Sequence, residues 1–236
     1  YFNNYGQNSI NIRGMDENRV LIQRDNINLP NRYSFSYQLG RGEYVDLSTL
    51  KSVEVLKGPA SSLYGSDALG GLVSYQSLYP EDLLGADETF KIEIPVKFDG
   101  SSNQTSGTTR VAVRDDNSGL EAVLVTTLSY GEEDNVKADD KYIDNSEITK
   151  KNIYTNIVKN IDDYSRFNFI YENVDTKRDT NQAKARLSSS YSSIEEDVDI
   201  NRWMGQLGYE YENQNSGQLF DYAKLNLYIQ DAEWND

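Results

Sequence analysis

From Leu120 to Tyr130 the chain places Leu120, Ala122, Leu124, Leu128 and Tyr130 on one side of an extended segment. The same two-residue period returns after Trp203, where Trp203, Gly205, Leu207, Tyr209 and Tyr211 share a face. It returns again after Leu219, where Ala223, Leu225, Leu227 and Ile229 do. Successive side chains of a strand point to opposite faces, so this pattern requires β-sheet with one apolar and one polar face. A soluble antiparallel sandwich and a membrane-spanning barrel both meet that requirement.

The connections separate the two. A strand at 108–114 is followed by a short turn, Asp115 to Gly119, and the strand 120–130 by a long acidic loop, Gly131 to Lys150. Next come a short turn near Asp162 and Asp163, a long loop from Thr176 to about Asp199, and a short turn from Asn213 to Gly217. Alternating short and long connections predict a transmembrane barrel, with tight turns on the periplasmic side and loops 99–107, 131–150 and 176–199 outside. Strands of roughly 10–13 residues, ended by Tyr130, Tyr171, Trp203 and Tyr211, suit a tilted crossing with aromatic girdles. Sandwich strands are nearer 5–6 residues.

Composition fits. The mean hydropathy is −0.70 and 37% of residues are hydrophobic, as expected where only every second residue faces lipid. The 18 Tyr, 7 Phe and 2 Trp are too many for a disordered, solvating chain. With 23 basic and 38 acidic residues the net charge is −15, which excludes a nucleic-acid partner because phosphate binding needs a basic face. Cysteine and histidine are absent, which excludes zinc sites, disulfides, thiol nucleophiles and Ser-His-Asp triads within these 236 residues. The loop 131–150 holds Glu132, Glu133, Asp134, Asp139, Asp140, Asp144 and Glu147. It reads as a solvated outer loop, or as a calcium site that lacks the ordered spacing and central glycine of a calcium loop. Beginning and ending in mid-pattern, at Tyr1 and Asp236, the sequence reads as a fragment of something longer.

Residues 1 to about 85 have a different texture: short β-like runs, Ser9–Arg13, Asn18–Asp25 and Ser52–Lys57, broken by glycine. Gly65 to Leu72 approaches a phosphate-binding loop, G-x-x-x-x-G-K-S/T. Gly71 and Leu72 stand where the lysine and hydroxyl are needed, so the nucleotide reading fails. Ser48 to Lys51 matches the S-x-x-K of penicillin-binding enzymes without its companion motifs, and fails too. What remains is conformational: glycines at 58, 65, 70 and 71 let a strand turn into a short helical segment and out into the next strand.

At these residues a family resemblance emerges. Val53 to Pro59, followed by Ser62 to Gly65 and Gly70 to Val73, resembles the late plug motif of TonB-dependent outer-membrane receptors. Asn11 to Gly14 resembles their "IRG" motif, and Val20 to Asp25 the strand that usually ends in Asp-Gly. Within the superfamily the likeness is to haem and haemoglobin receptors, through Arg13 to Val20, Tyr44 to Asp46 and Tyr79 to Leu84.

The resemblance implies an all-β-dominated fold, a partial plug domain followed by part of a transmembrane antiparallel β-barrel of about 22 strands. Residues 1–85 are then the C-terminal half of the plug, and 86–236 about seven N-terminal barrel strands. It implies the outer membrane of a Gram-negative-type bacterium, contact with outer-membrane lipid, and TonB as partner through a segment missing from these residues. It also implies a transporter and not an enzyme, since no bond is made or broken. The ligand is haem, a haem protein or a ferric siderophore; haem enters only as possible transported ligand, not as cofactor. A surface β-protein without transport is the distant alternative.

Several site residues follow from the same resemblance. The plug–barrel lock maps to Arg13 and, where the family has arginine in its "RGP" turn, to Lys57, which keeps the charge but loses bidentate geometry. Both are otherwise ordinary solvated charges. The motif turns are Gly14, Gly58, Pro59, Tyr64, Gly65, Gly70 and Gly71. The loop 30–44 resembles the ligand-facing plug apex, with Arg32, Tyr33, Phe35, Tyr37 and Arg41 as candidates. Tyr33 or Tyr37 ligates haem iron, stacks on a porphyrin, or packs the loop. Seven strands leave two unpaired edges, so these residues are not expected to fold alone.

Overall fold

The computed structural model describes residues 10–15, 19–30, 44–64, 68–100, 103–134, 145–182, 194–213 and 221–235. The chain divides into two compact units, residues 1–82 and 83–236.

The first unit is built on a four-stranded sheet in the order β2-β1-β4-β3, with β1 Val20–Arg24, β2 Ile27–Asn28, β3 Leu50–Lys57 and β4 Gly71–Ser77. β1 runs parallel to β4, with Leu21 opposite Leu72, and β3 antiparallel to it, with Val55 opposite Val73. The turn from β1 to β2 is Asp25-Asn26, at φ 49 and 68. Positive φ at both central positions is the mirror-image turn that matches strand twist, and Asp and Asn tolerate it. All of β1 is buried, which explains its unbroken Val-Leu-Ile run. Val20 and Ile22 pack with Ile12, Leu29, Val73 and Tyr75 on one face, and burial pushes the Tyr75 phenol pKa up. Leu21 and Leu72 pack with Ala60 and Ala68 in a second cluster.

The second unit is one antiparallel sheet in the order β12-β11-β10-β9-β8-β7-β5, with β6 also pairing β7. Its strands are β5 Phe90–Glu93, β6 Val96–Asp99, β7 Gln104–Asp115, β8 Leu120–Asp134, β9 Asn145–Asn160, β10 Ser165–Gln182, β11 Ile194–Glu212 and β12 Tyr222–Asn235. β5 and β6 lie end to end along β7, separated at Ile94-Pro95, where proline has no N–H to give the ladder. They therefore act as one interrupted strand.

The two faces of this sheet settle the choice between sandwich and membrane wall. Leu124, Leu128, Ile153, Phe169, Leu207, Leu225, Leu227 and Ile229 are exposed, while Glu121, Asn156, Asn168, Glu172, Arg202 and Gln206 on the other face are buried. A soluble sandwich buries its apolar face and exposes its polar one. The reverse arrangement is that of a transmembrane barrel wall, with lipid against the apolar face and a polar interior.

Three of the expected outer loops are shorter than the sequence indicated. β10 runs to Gln182 and β11 begins at Ile194, so the loop expected at 176–199 is largely strand: Lys177 pairs with Asp199 and Asp179 with Asp197. β8 extends to Asp134, β9 starts at Asn145, and β7 starts at Gln104. Beyond Tyr171 the lipid-side positions become Asn173, Asp175, Lys177 and Asp179. The apolar alternation disappears there although the hydrogen-bonded ladder continues. Strand lengths of 15 to 19 residues in β8 to β11 follow, longer than expected.

Candidate functional site

The motif residues of the first unit converge on one packing arrangement. Ile12 to Met15 is a two-residue hairpin: Ile12 N donates to Met15 O at 2.8 Å and Met15 N to Ile12 O at 3.0 Å. Arg13 and Gly14 occupy its centre at φ 54 and 81, and the Gly14 amide donates to Asn11 Oδ1 at 2.9 Å. Only glycine enters this region without cost, so Arg13 is held there at an expense of roughly 1–2 kcal/mol.

That hairpin rests on Gly70 and Gly71. A Cβ on Gly70 would stand 2.6 Å from Met15 Cβ, and one on Gly71 2.4 Å from Leu56 O and 2.8 Å from Ile12 Cδ1. The glycine pair thus exists for close approach, in addition to the turning role read from the sequence. The segment between β3 and β4 is zipped closed: Gly58 N donates to Gly70 O at 3.2 Å and Ala60 N to Ala68 O at 2.9 Å. Pro59 leads into helix α1, Ser61–Tyr64, where the Tyr64 amide donates to Ala60 O and the Tyr64 ring is exposed.

Arg13 and Lys57 are brought to the same end of the sheet. Lys57 pairs with Gly71, the residue that Ile12 covers, and both cationic side chains are exposed. Gly65 and the apex candidates Arg32, Tyr33, Phe35, Tyr37 and Arg41 lie outside the described residues. So do residues 135–144 of the 131–150 loop; among the described residues no cluster of three potential metal-binding side chains occurs.

Two polar networks escaped sequence reasoning. In the first unit Arg24, fully buried, donates from Nε to Ser77 Oγ at 2.8 Å and from Nη2 to Thr49 Oγ1 at 3.2 Å. Asp25 accepts from the Ser77 amide at 3.0 Å and from the Ser77 hydroxyl. An arginine closing an apolar strand was the available signal. In the second unit Glu172 and Arg202 form a fully buried ion pair at 2.9 Å, with Asn152 Nδ2 donating to Glu172 at 3.4 Å. Toward the short-turn end of the sheet Arg166 pairs with Glu210 at 2.8 Å. There a polar cavity of about 530 Å³ is lined by Asn160, Asp162, Tyr164, Arg166, Glu210 and Glu212. Buried charges persist where they are paired and hydrogen-bonded, and a barrel's inner face is where such groups collect.

A motif hairpin seated on a glycine pair, and a separate sheet with one exposed apolar face and ion pairs on the other, define a small globular unit followed by a stretch of membrane-barrel wall. Residues 1–72 match the family model "TonB-dependent Receptor Plug Domain". The chain is 34% identical over 93 residues to heme/hemopexin utilization protein C of Haemophilus influenzae (strain 86-028NP), covering 39% of this chain and 13% of that one. It is 25% identical over a 280-residue alignment to hemoglobin-haptoglobin utilization protein B of Neisseria meningitidis serogroup C, covering 98% and 34%. In fold it resembles the FrpB iron transporter of Neisseria meningitidis (F3-3 variant), with TM-score 0.78 and 18% identity, over 96% of this chain and 35% of that one. The chain therefore spans about a third or less of the length of these curated relatives. Through residues 1–72 the chain is thus similar to the plug domain of TonB-dependent receptors, and in fold it is similar to an iron transporter over nearly all of its length.

Proposed function

We propose that the protein takes up haem, or iron from a haem protein, across the outer membrane with energy delivered by TonB. The observation that carries this reading is the seating of the motif hairpin on Gly70 and Gly71, in a chain whose remaining residues form a lipid-facing wall. Haem is favoured by relatives whose names refer to heme and hemoglobin utilization. Residues 1–85 act as the C-terminal half of the plug and 86–236 as the first barrel strands. Arg13 and Lys57, exposed at one end of the plug sheet, pair with carboxylates of the barrel wall and hold the plug in place. Ligand is met by the outer loops and by the apex residues Arg32, Tyr33, Phe35, Tyr37 and Arg41. TonB then acts on the plug from the periplasm, and the rearranged plug opens a path.

A second reading keeps the machine and changes the cargo to a ferric siderophore. It is favoured by the fold likeness to an iron transporter and by the absence of histidine, a common haem-iron ligand, from these residues. The test is growth of an iron-starved host that lacks haem receptors and siderophores of its own and expresses the full-length protein, with and without TonB. TonB-dependent growth on haemin supports the haem reading. Growth only on a ferric siderophore supports the second, and growth on neither overturns both.

A further inference from the structure

The first residues of the second unit are held by two cations of the wall. Lys91 Nζ donates to Leu83 O at 2.9 Å. Arg114 Nη1 donates to Gly85 O at 3.0 Å, with Ala86 O at 3.4 Å and Glu88 O at 3.5 Å. The segment is also folded on itself, the Gly85 amide donating to Glu88 Oε2 at 2.9 Å and the Glu88 amide to Gly85 O at 3.2 Å. The Arg114 backbone amide takes the next carbonyl, Thr89 O, at 2.8 Å.

Arg114 is itself fixed. Its Nε lies 3.3 Å from Glu121 Oε1, both side chains being largely buried, and Asn160 Nδ2 donates to the same Glu121 oxygen at 3.2 Å. Glu121 and Asn160 come from the next two strands, β8 and β9. The guanidinium is thus oriented by three strands of the wall before it meets the chain. A planar, permanently charged fork can serve a carboxylate with one edge and a group of carbonyls with another; an ammonium cannot.

We propose that Arg114, set by Glu121 and Asn160, is a positioning residue that fastens segment 83–89 to the barrel wall. The C-terminal end of the plug domain then stays tethered while the rest of it rearranges. The boundary between the units falls between Asp82 and Leu83, so the fastening begins at the first residue past it. Any displacement of the plug is taken up before Leu83. This assignment rests on the transport reading for its consequence, but not for its geometry.

The experiment uses the full-length receptor in outer-membrane vesicles, carrying Arg114→Ala, Arg114→Lys or Glu121→Gln. Hydrogen exchange is followed at residues 83–89, together with haemin binding and TonB-dependent haemin uptake in cells. Arg114→Ala is expected to raise exchange at Gly85 and Glu88 by about tenfold or more, because hydrogen bonds to a charged group are lost. Arg114→Lys and Glu121→Gln are expected to give smaller increases. Haemin binding stays unchanged and uptake falls in the same order. Unchanged exchange in Arg114→Ala overturns the fastening, and raised exchange with wild-type uptake overturns its role in transport. If Arg114→Ala fails to assemble, Glu121→Gln decides on the same two readouts. A wild type that takes up no haemin defeats the haem reading, and exchange alone then judges the fastening.

Discussion

Gly71 lies directly beneath Ile12: a β-carbon on the glycine would stand 2.8 Å from Ile12 Cδ1 and 2.4 Å from the Leu56 carbonyl oxygen. Two segments far apart in sequence meet at a point where no side chain fits. The backbone there, at φ +155, also favours glycine.

Gly71→Ala is therefore expected to destabilise the plug sheet by on the order of 3 kcal/mol, from strain and clash together. In the full-length receptor this reads as faster limited proteolysis within residues 1–82, with barrel assembly unaltered. Wild-type protease resistance would refute the packing argument.

Arg13 allows its charge to be separated from its turn. Arg13→Gly removes the guanidinium while relieving left-handed backbone strain worth roughly 1 kcal/mol. Plug protection is expected to hold or improve while TonB-dependent uptake falls, if Arg13 contributes to holding the plug. Unchanged uptake would reduce it to a solvated turn residue.

Arg24→Met leaves Ser77 and Thr49 without a buried donor that they now have. The expected cost is about 3 kcal/mol, measured as faster hydrogen exchange at the amides of Val20–Arg24 in the intact receptor. Protection equal to wild type would show the network to be dispensable.

The sidedness of the wall predicts opposite outcomes for neighbouring residues. Leu227→Arg places a charge on the exposed apolar face and should cost about 2–4 kcal/mol near the bilayer midplane. Tyr228→Lys, which follows it and points to the other face, should cost less than about 0.5 kcal/mol. The fraction of heat-modifiable, folded barrel on a gel measures both. Equal sensitivity would mean that the faces are wrongly assigned.

The lipid-facing alternation of Leu120 to Tyr130 and of Trp203 to Tyr211 was legible because a strand with one apolar environment keeps apolar residues at every second position, and the short and long connections then told membrane wall from sandwich. Where β10 and β11 leave that environment the demand ends, and Asp175, Lys177 and Asp199 gave no sign of continuing strand. The glycines at 70 and 71 were legible as special but their partners were not, since Ile12 and Met15 reach them only through tertiary packing. Arg114 gave no signal, because it holds backbone carbonyls, which every residue carries. Arg24 was visible only as a charge at the end of an apolar run.

The hairpin of β10 and β11 remains fully paired past the last apolar outward residues, Tyr171 and Trp203, as far as Gln182 and Ile194. At about 3.3 Å per residue that ladder is on the order of 30 Å long. It works as a stiff mast that carries paired backbone well past the apolar band, so the outer end of this hairpin is held away from the lipid surface by its own hydrogen-bonded ladder.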